Sequence, residues 1–376
     1  MIGQPKRIIS HEPERISAVI AAVGAAGGLE AGPVVVRKAD WPSLRPWLGF
    51  HRLSGLAMYA VSEGRLRLPP SAIRDLVGMH HDAMSWSLTV ERAAVQICAA
   101  LDESGIDAVI LKGSAFAHRF YDDPGWRPFS DLDLLVRTAD LVRAGAVLEK
   151  HGVARTLPEP RPGFDARFGT GAVHRRADGL EVDLHRTLVK GPFGLWMRPE
   201  ELFDATAQFS LGGLSVRRLD DTASLLHACI HGALGALPPL FMPLRDVAQI
   251  AWRGDTDWDR FQAWAHRWRL GAVVAYAFET VSDLLGIAMP PQVRALASNG
   301  TGRKERRALR AYTTDRQRRG GRTISTMSAI PGLRGKAAYA LALAVPSRGF
   351  LAARQGEADA SYARRWAVAL RWLRKP

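Results

Sequence analysis

Cysteine is nearly absent: Cys98 and Cys229 are the only two in 376 residues. That excludes a disulfide framework, and their separation fits no zinc-binding spacing. We read both as core thiols of a protein kept in a reducing compartment. Long apolar runs are missing as well. The longest, Ala337–Pro346 (AAYALALAVP), is far shorter than the roughly 20 residues a membrane-spanning helix needs. The opening stretch, MIGQPKRIISHEPERISAVIAA, scatters charge where a secretion signal carries an unbroken apolar segment. No signal peptide is therefore expected, and the cytoplasm is the expected location. There is no internal repeat and no low-complexity tract.

What is present is a large apolar fraction, 47%, which excludes global disorder. The length suffices for more than one domain. The net charge of +14 is unevenly placed: residues 303–376 hold 18 Lys/Arg against 4 Asp/Glu, whereas residues 1–302 hold 33 of each. Runs such as Arg303-Lys304-Glu305-Arg306-Arg307 and Arg316-Gln317-Arg318-Arg319 read equally as a solvated helical face or as a surface for nucleic acid, anionic lipid or an acidic partner.

Periodicity divides the chain into three parts. Residues 1–104 form an N-terminal helical region, poorly patterned before Trp41, with Gly24, Gly27, Gly28 and Gly32 close together. Pro69-Pro70-Ser71 breaks it, with Ser71 as a candidate N-cap, and residues 73–104 then run as one long amphipathic helix stopped at Gly105. Residues 105–220 change pattern. Ala108–Leu111 and Phe129–Val136 read as buried strands, with a helix at about 138–151 after the second. Gly171–Arg176 and Leu180–His185 read as a hairpin around Ala177-Asp178-Gly179, and Ser215–Leu219 as a further strand. Residues 221–376 return to helix, with segments expected at Ser224–Leu237, Leu244–Trp252, Trp258–Trp268 and Ala272–Leu285, and a basic character from 303. The eleven tryptophans sit mostly at helical spacing, as core or interface anchors.

The strand F-S-D-L-D-L-L-V carries two charges where a sheet asks for apolar residues. Side chains alternate along a strand, so Asp131 and Asp133 share one face and Leu132 and Leu134 take the other. Two adjacent carboxylates suit a divalent cation; the competing reading is a strand end with solvated aspartates. Asp183, on the strand E-V-D-L-H, can join them on the same sheet face, as can Glu181 and His185. Lys112-Gly113-Ser114 follows a strand and opens a helix, where glycine permits close backbone approach and the helix start attracts anions. Packing alone also accounts for many such turns.

The succession L-K-G…Y-D-D-P-G-W-R-P-F-S-D-L-D-L-L-V…V-D-L-H resembles the DNA-polymerase-β-like nucleotidyltransferase superfamily, in particular a bacterial branch of nucleotidyltransferase family proteins. L-L-H-A-C-I-H…P-L-R-D-V-A-Q-I extends the resemblance downstream. It implies an α+β fold, a mixed-sheet polymerase-β-like core with helical regions on both sides. It also implies transfer of a nucleoside monophosphate, AMP from ATP in the first instance, with release of pyrophosphate. Asp131, Asp133 and Asp183 match the positions that hold two Mg²⁺ ions, with Asp183 also placed to accept the acceptor's proton. Gly113 and Ser114 match the phosphate-binding turn, beside Lys112. Arg127 falls in the branch's loop, where a cation meets the triphosphate. Residues 115–130 make an unusually long spacer between the turn and Asp131. The acceptor is left open among a small molecule, a peptide, a protein hydroxyl and an RNA or tRNA end.

Other readings compete. A non-catalytic nucleotide- or partner-binding module, as in a toxin–antitoxin pair, would need no turnover. Transfer of a γ-phosphate would require a Walker G-x-x-x-x-G-K-[ST] or a kinase loop set, and the chain has neither. His227 and His231 are spaced i,i+4 like zinc ligands, without an evident third, and read first as structural histidines. His231 and Asp246 both fall in the branch's pattern, as a hydrogen-bonded pair near the nucleotide. The C-terminal Tyr362–Lys375 segment reads as a helix docked on its own core, or as one lying on a membrane surface.

Overall fold

The computed structural model describes residues 19–20, 23–24, 33–298, 301–314, 320–356 and 361–362. The glycines at 27, 28 and 32, the Arg316–Arg319 run and the terminal segment after Tyr362, expected to be helical, lie outside them.

The N-terminal part starts with β1 (Val34–Val35), α1 (Trp41–Phe50), α2 (Ser54–Ser62) and β2 (Leu66–Arg67), with β1 and β2 paired in parallel. The 34-residue helix α3 (Pro70–Glu103) follows. Its cap is Pro69, not Ser71: Pro69 is extended, Pro70 takes the first helical position, and no side chain caps the end. Proline's fixed φ suits that position, and its missing N–H would be unpaired there in any case.

Helix α2 carries Gly55 against the turn Pro124–Trp126. A Cβ on Gly55 would lie 2.1 Å from the Gly125 carbonyl oxygen, closer than any packing allows. The contact is completed by Tyr59 packed at a tilt against Trp126, with ring centroids 3.9 Å apart. Gly55→Ala should therefore destabilise the protein by at least about 1–3 kcal/mol, the usual cost of overpacking a tight contact. Thermal denaturation followed by circular dichroism checks this, and an unchanged midpoint would contradict the close approach.

The described chain has nine strands. After α3 come β3 (Ala108–Ile110), α4 (Ser114–Phe120), β4 (Asp131–Val136), α5 (Leu141–Lys150), β5 (Val153–Arg155), β6 (Gly171–Arg176), β7 (Glu181–His185), β8 (Thr206–Leu211) and β9 (Leu214–Leu219). Strands β3 to β9 make one sheet in the order β5-β6-β7-β4-β3-β9-β8. Pairs β4/β7 and β3/β9 are parallel and the rest antiparallel, so the sheet is mixed as expected. The Asp-Gly hairpin forms where the sequence placed it. Strands β5 and β8 were not anticipated: Val153–Arg155 is three residues long, too short to show a period, and the burial of β8 does not alternate cleanly.

The two sheet faces are covered differently. Leu132, Leu134, Val136, Val182 and Leu184 pack with Val90, Ala94, Ile97 and Leu101 of α3 and with Leu141, Ala144 and Leu148 of α5. Each such buried aliphatic side chain contributes about 1.5–3 kcal/mol. Val109, Leu111, Leu135 and Leu219 face the opposite way, into a core shared with the C-terminal helices. Those are α6 (Asp221–Leu234), α7 (Phe241–Arg253), α8 (Trp258–Arg267) and α9 (Gly271–Leu285). Helix α6 starts earlier than its apolar pattern suggests because Asp220 caps it, accepting from Ala223 N–H at 2.9 Å. The fold is thus α+β, with helices flanking a mixed sheet. Further on, α10 (Arg303–Thr313) buries Ala308, Ala311 and Tyr312 and exposes Arg303, Lys304, Arg306, Arg307 and Arg310. Cys98 and Cys229 are free and buried. Among the described residues no helix is long and apolar enough to cross a membrane.

Candidate active site

Strand alternation does what the sequence requires of it. In the parallel ladder Asp131 pairs with Glu181, Asp133 with Asp183 and Leu135 with His185. Parallel neighbours in register point the same way, so the D-x-D pair and E-x-D-x-H form two adjacent columns on one face. Asp133, Asp183 and His185 each offer a ligand atom within 4.8 Å of the others. Among the described residues this is the cluster of three that can hold a metal ion; His227 and His231 find no third partner.

The entry of β4 is clamped to α3. The Ser87 hydroxyl lies 3.0 Å from both the N–H and the carbonyl oxygen of Phe129, accepting from one and donating to the other. The Trp86 indole N–H donates to the Ser130 carbonyl at 3.0 Å. The β3–β4 ladder runs on to Leu111, whose N–H donates to the Asp133 carbonyl at 2.9 Å. That puts Lys112 over both aspartates: its ammonium is 3.0 Å from Asp131 Oδ2 and pairs closely with Asp133 Oδ2. Gly113 then turns the chain at φ 54°, ψ −125°, a left-handed conformation that favours glycine, and Ser114 opens α4, buried.

Electrostatics divide the carboxylates. Burial by itself would raise Asp133, but Lys112 and then His185, whose Nε2 lies 3.0 Å from Asp133 Oδ1, hold it well below the usual carboxylate range. The same two aspartates, Asp133 foremost, outweigh burial at Lys112 and keep its ammonium above its ordinary value. Burial pushes Asp183 up to about 6, against the pull of His185 and with the push of Asp133. Its Oδ1 is buried without a hydrogen-bond partner. An orphaned carboxylate oxygen facing a second carboxylate is what a hard cation relieves, so the residues present fit a divalent ion.

Two consequences of pH follow from Asp183. The folded state holds its proton more tightly than an unfolded aspartate near 3.8, so its stabilising contribution is complete below that value and is lost as pH rises through about 6. Protons also compete with a cation for the carboxylate. Mn²⁺ affinity of the metal-free protein should hold steady above neutrality and decline as pH falls through about 6, measured by calorimetry. A flat profile down to pH 5 would remove Asp183 from the ligand set.

Arg127 lies elsewhere than at an open phosphate site. It is buried; Nε and Nη2 donate to the two oxygens of Asp246 at 2.6 and 2.7 Å, and Nη1 donates to the Gly113 carbonyl at 3.1 Å. Asp246 also accepts from the Tyr121 hydroxyl at 2.9 Å. The expected His231–Asp246 hydrogen bond is therefore not made. Asp246 is taken by the stronger partner, a bidentate guanidinium, and His231 Nδ1 is buried without one. Burial drives His227 down to about 3 and His231 well below its ordinary value, so both are neutral. The arginine at the rim is Arg52, its Nη1 3.7 Å from Asp131 Oδ1. Sequence reasoning missed it, because nothing in the pattern of α1 and α2 marks the corner between them as facing the sheet.

Carboxylates at matched positions of two parallel strands, beside a lysine-glycine-serine turn, are the arrangement that the sequence resemblance led us to expect of a nucleotidyltransferase. Residues 37–286 match the family described as uncharacterised nucleotidyltransferase, and the chain belongs to that family. It is an enzyme of nucleotidyl transfer, with a nucleotide as substrate. Among solved structures, the antibiotic-resistance factor ANT(2'')-Ia is 16% identical over 53% of this chain and 96% of its own, with a TM-score of 0.33. An antigenic nucleotidyltransferase-like protein from Paracoccidioides brasiliensis is 17% identical over 44% of this chain and 74% of its own, with a TM-score of 0.29. No curated protein gives a significant match.

Proposed function

We propose that this protein is a Mg²⁺-dependent nucleotidyltransferase that moves a nucleoside monophosphate, AMP from ATP, to a hydroxyl of a small-molecule, peptide or protein acceptor. Pyrophosphate leaves. Residues 105–220 are the catalytic unit, held between helical regions at 1–104 and 221–376. The observation that carries the reading is the pairing of Asp133 with Asp183 across β4 and β7, flanked by Asp131 and Glu181.

Asp131, Asp133 and Asp183 are the metal-holding residues in this reading: Asp133 and Asp183 cluster with His185, which is joined to Asp133, and Asp131 stands outside that cluster, two residues before Asp133 on the same strand face. Mg²⁺ bound there neutralises triphosphate charge and polarises the α-phosphate. Asp183 takes the acceptor's proton as its hydroxyl attacks. Lys112 already spans the D-x-D pair, so its ammonium lies where the phosphates must approach. Gly113 and Ser114 supply the turn on which those phosphates rest. Arg127 serves through Gly113, fixing the turn by its carbonyl. Positioning and charge neutralisation together carry such a transfer.

The test needs no knowledge of the acceptor. Calorimetry with ATP, GTP, CTP and UTP, each with and without Mg²⁺, should show metal-dependent binding, tightest for ATP. Failure of folded protein to bind any of the four with Mg²⁺ would overturn the reading; a tighter CTP or GTP would change the donor and leave the reaction.

A further inference from the structure

A cavity of about 160 Å³ lies beside Asp131, outside the carboxylate cluster. Its wall is one face of α3, where Met79, Ala83 and Trp86 recur at helical spacing. Phe129 and Ser130, just before β4, and Arg52, between α1 and α2, complete the lining. We propose that this cavity is the subsite for the nucleobase of the donor nucleotide, an inference that rests on the nucleotidyl-transfer reading above.

Four observations carry it. The volume is below the roughly 300–1,000 Å³ that encloses a whole small ligand, so the cavity takes one flat group of a larger molecule. The walls are an indole, a phenyl ring, a thioether and a methyl, which suit the face of a heterocycle. Two of the residues are tied down: the Trp86 indole by its bond to the Ser130 carbonyl, and the Phe129 backbone by Ser87. The position is on the donor's side of the site. Phe129 and Ser130 run directly into Asp131, and the Phe129 ring is 3.7 Å from where a Gly113 Cβ would be. Asp183, assigned to the acceptor's end, is on β7, beyond Asp133 and across β4 from β3, the strand that leads to Gly113.

Arg52 joins the two halves. Its guanidinium stands between the cavity and Asp131, where the phosphates of a nucleotide with its base in the cavity would pass. Its backbone is left-handed, φ 59°, in a residue with a side chain. Arg52 follows the C-cap of α1, where a left-handed residue commonly closes a helix. Glycine adopts this conformation freely, so Arg52→Gly removes the guanidinium without a backbone cost.

The experiment compares binding of Mg²⁺-nucleoside triphosphate, the tightest of the four, with binding of Mg²⁺-tripolyphosphate, which has phosphates and no base. Wild type should bind the nucleotide at least about tenfold more tightly, the range one base-stacking contact covers. Ala83→Phe, which fills the cavity, should erase that difference and leave tripolyphosphate affinity unchanged. Met79→Ala, which shortens a half-buried wall side chain, should narrow the difference severalfold. Arg52→Gly should weaken both ligands together while leaving the melting temperature unchanged or higher. Equal affinity of wild type for the two ligands, or full nucleotide affinity in folded Ala83→Phe, would overturn the assignment. If Ala83→Phe kept nucleotide affinity but blocked transfer, the cavity would belong to the acceptor. Binding of neither ligand would instead remove the nucleotidyl-transfer reading, and the subsite with it.

Discussion

Asp133→Asn protein should turn over at least about a thousandfold more slowly than wild type, a little over 4 kcal/mol at 1.36 kcal/mol per decade. It should also lose metal-dependent nucleotide binding. Asp133 is the centre of the site: it faces Asp183 across the ladder, meets His185 at 3.0 Å and pairs with Lys112. Asparagine keeps the shape and removes the charge that a cation needs. The exchange also leaves Lys112, which is 13% exposed, with Asp131 alone. Removing one partner of a buried pair costs about 3–5 kcal/mol, so the melting temperature should fall as well. A double exchange, Lys112→Met with Asp133→Asn, separates the effects. It takes away the ammonium that has lost its nearer partner, so stability should largely return while metal binding stays lost. Asp131→Asn should follow the same course in turnover with a smaller loss of stability, since Asp131 is 22% exposed and Asp133 3%. Full activity in either single variant would end the assignment of the D-x-D pair.

The second large effect is expected far from the carboxylates in sequence. Arg127 and Asp246 are 119 residues apart and form a buried bidentate pair, 5% and 0% exposed. Arg127→Met should destabilise by about 3–5 kcal/mol, because the Asp246 carboxylate would stay buried without its bidentate partner, keeping the Tyr121 hydroxyl. Asp246→Leu should cost a similar amount by stranding the guanidinium. Combined, the two exchanges put apolar groups on both sides, and much of the stability should return; buried ion pairs are often replaced in this way without loss. The double variant isolates the proposed role. If Arg127 fixes the Gly113 turn through its bond to that carbonyl, nucleotide affinity stays reduced at restored stability. Wild-type affinity in a stable double variant would mean that the pair only holds α7 against the sheet. Denaturant titration gives the stabilities and calorimetry the affinities.

Asp131, Asp133, Asp183 and the Lys112-Gly113-Ser114 turn were legible because each is a local signal. Two charges at period two in an apolar strand announce their common face, and a glycine-serine after a strand announces a helix start. The long helix α3, the Asp-Gly hairpin and the helical C-terminal part were legible for the same reason: periodicity and turn chemistry act over a few residues. Helix starts set by a distant or unusual cap were read late, as at Asp220, or misassigned, as at Ser71.

Partners distant in the chain were decided by tertiary structure. The register that sets Asp133 beside Asp183 joins strands some 50 residues apart, and a slip of one residue would have turned Asp183 to the other face. Whether Arg127 met a phosphate or a buried carboxylate depended on α7 packing behind the turn. Arg52 comes to Asp131 from a corner between two helices that carries no motif. The sequence by itself determined which residue types could do the chemistry and which strand faces they take, because those follow from the backbone's own repeat. Which carboxylate is depressed, which is raised to about 6, and which cation stands over them were decided by burial and by charges that only the folded chain brings within a few ångströms.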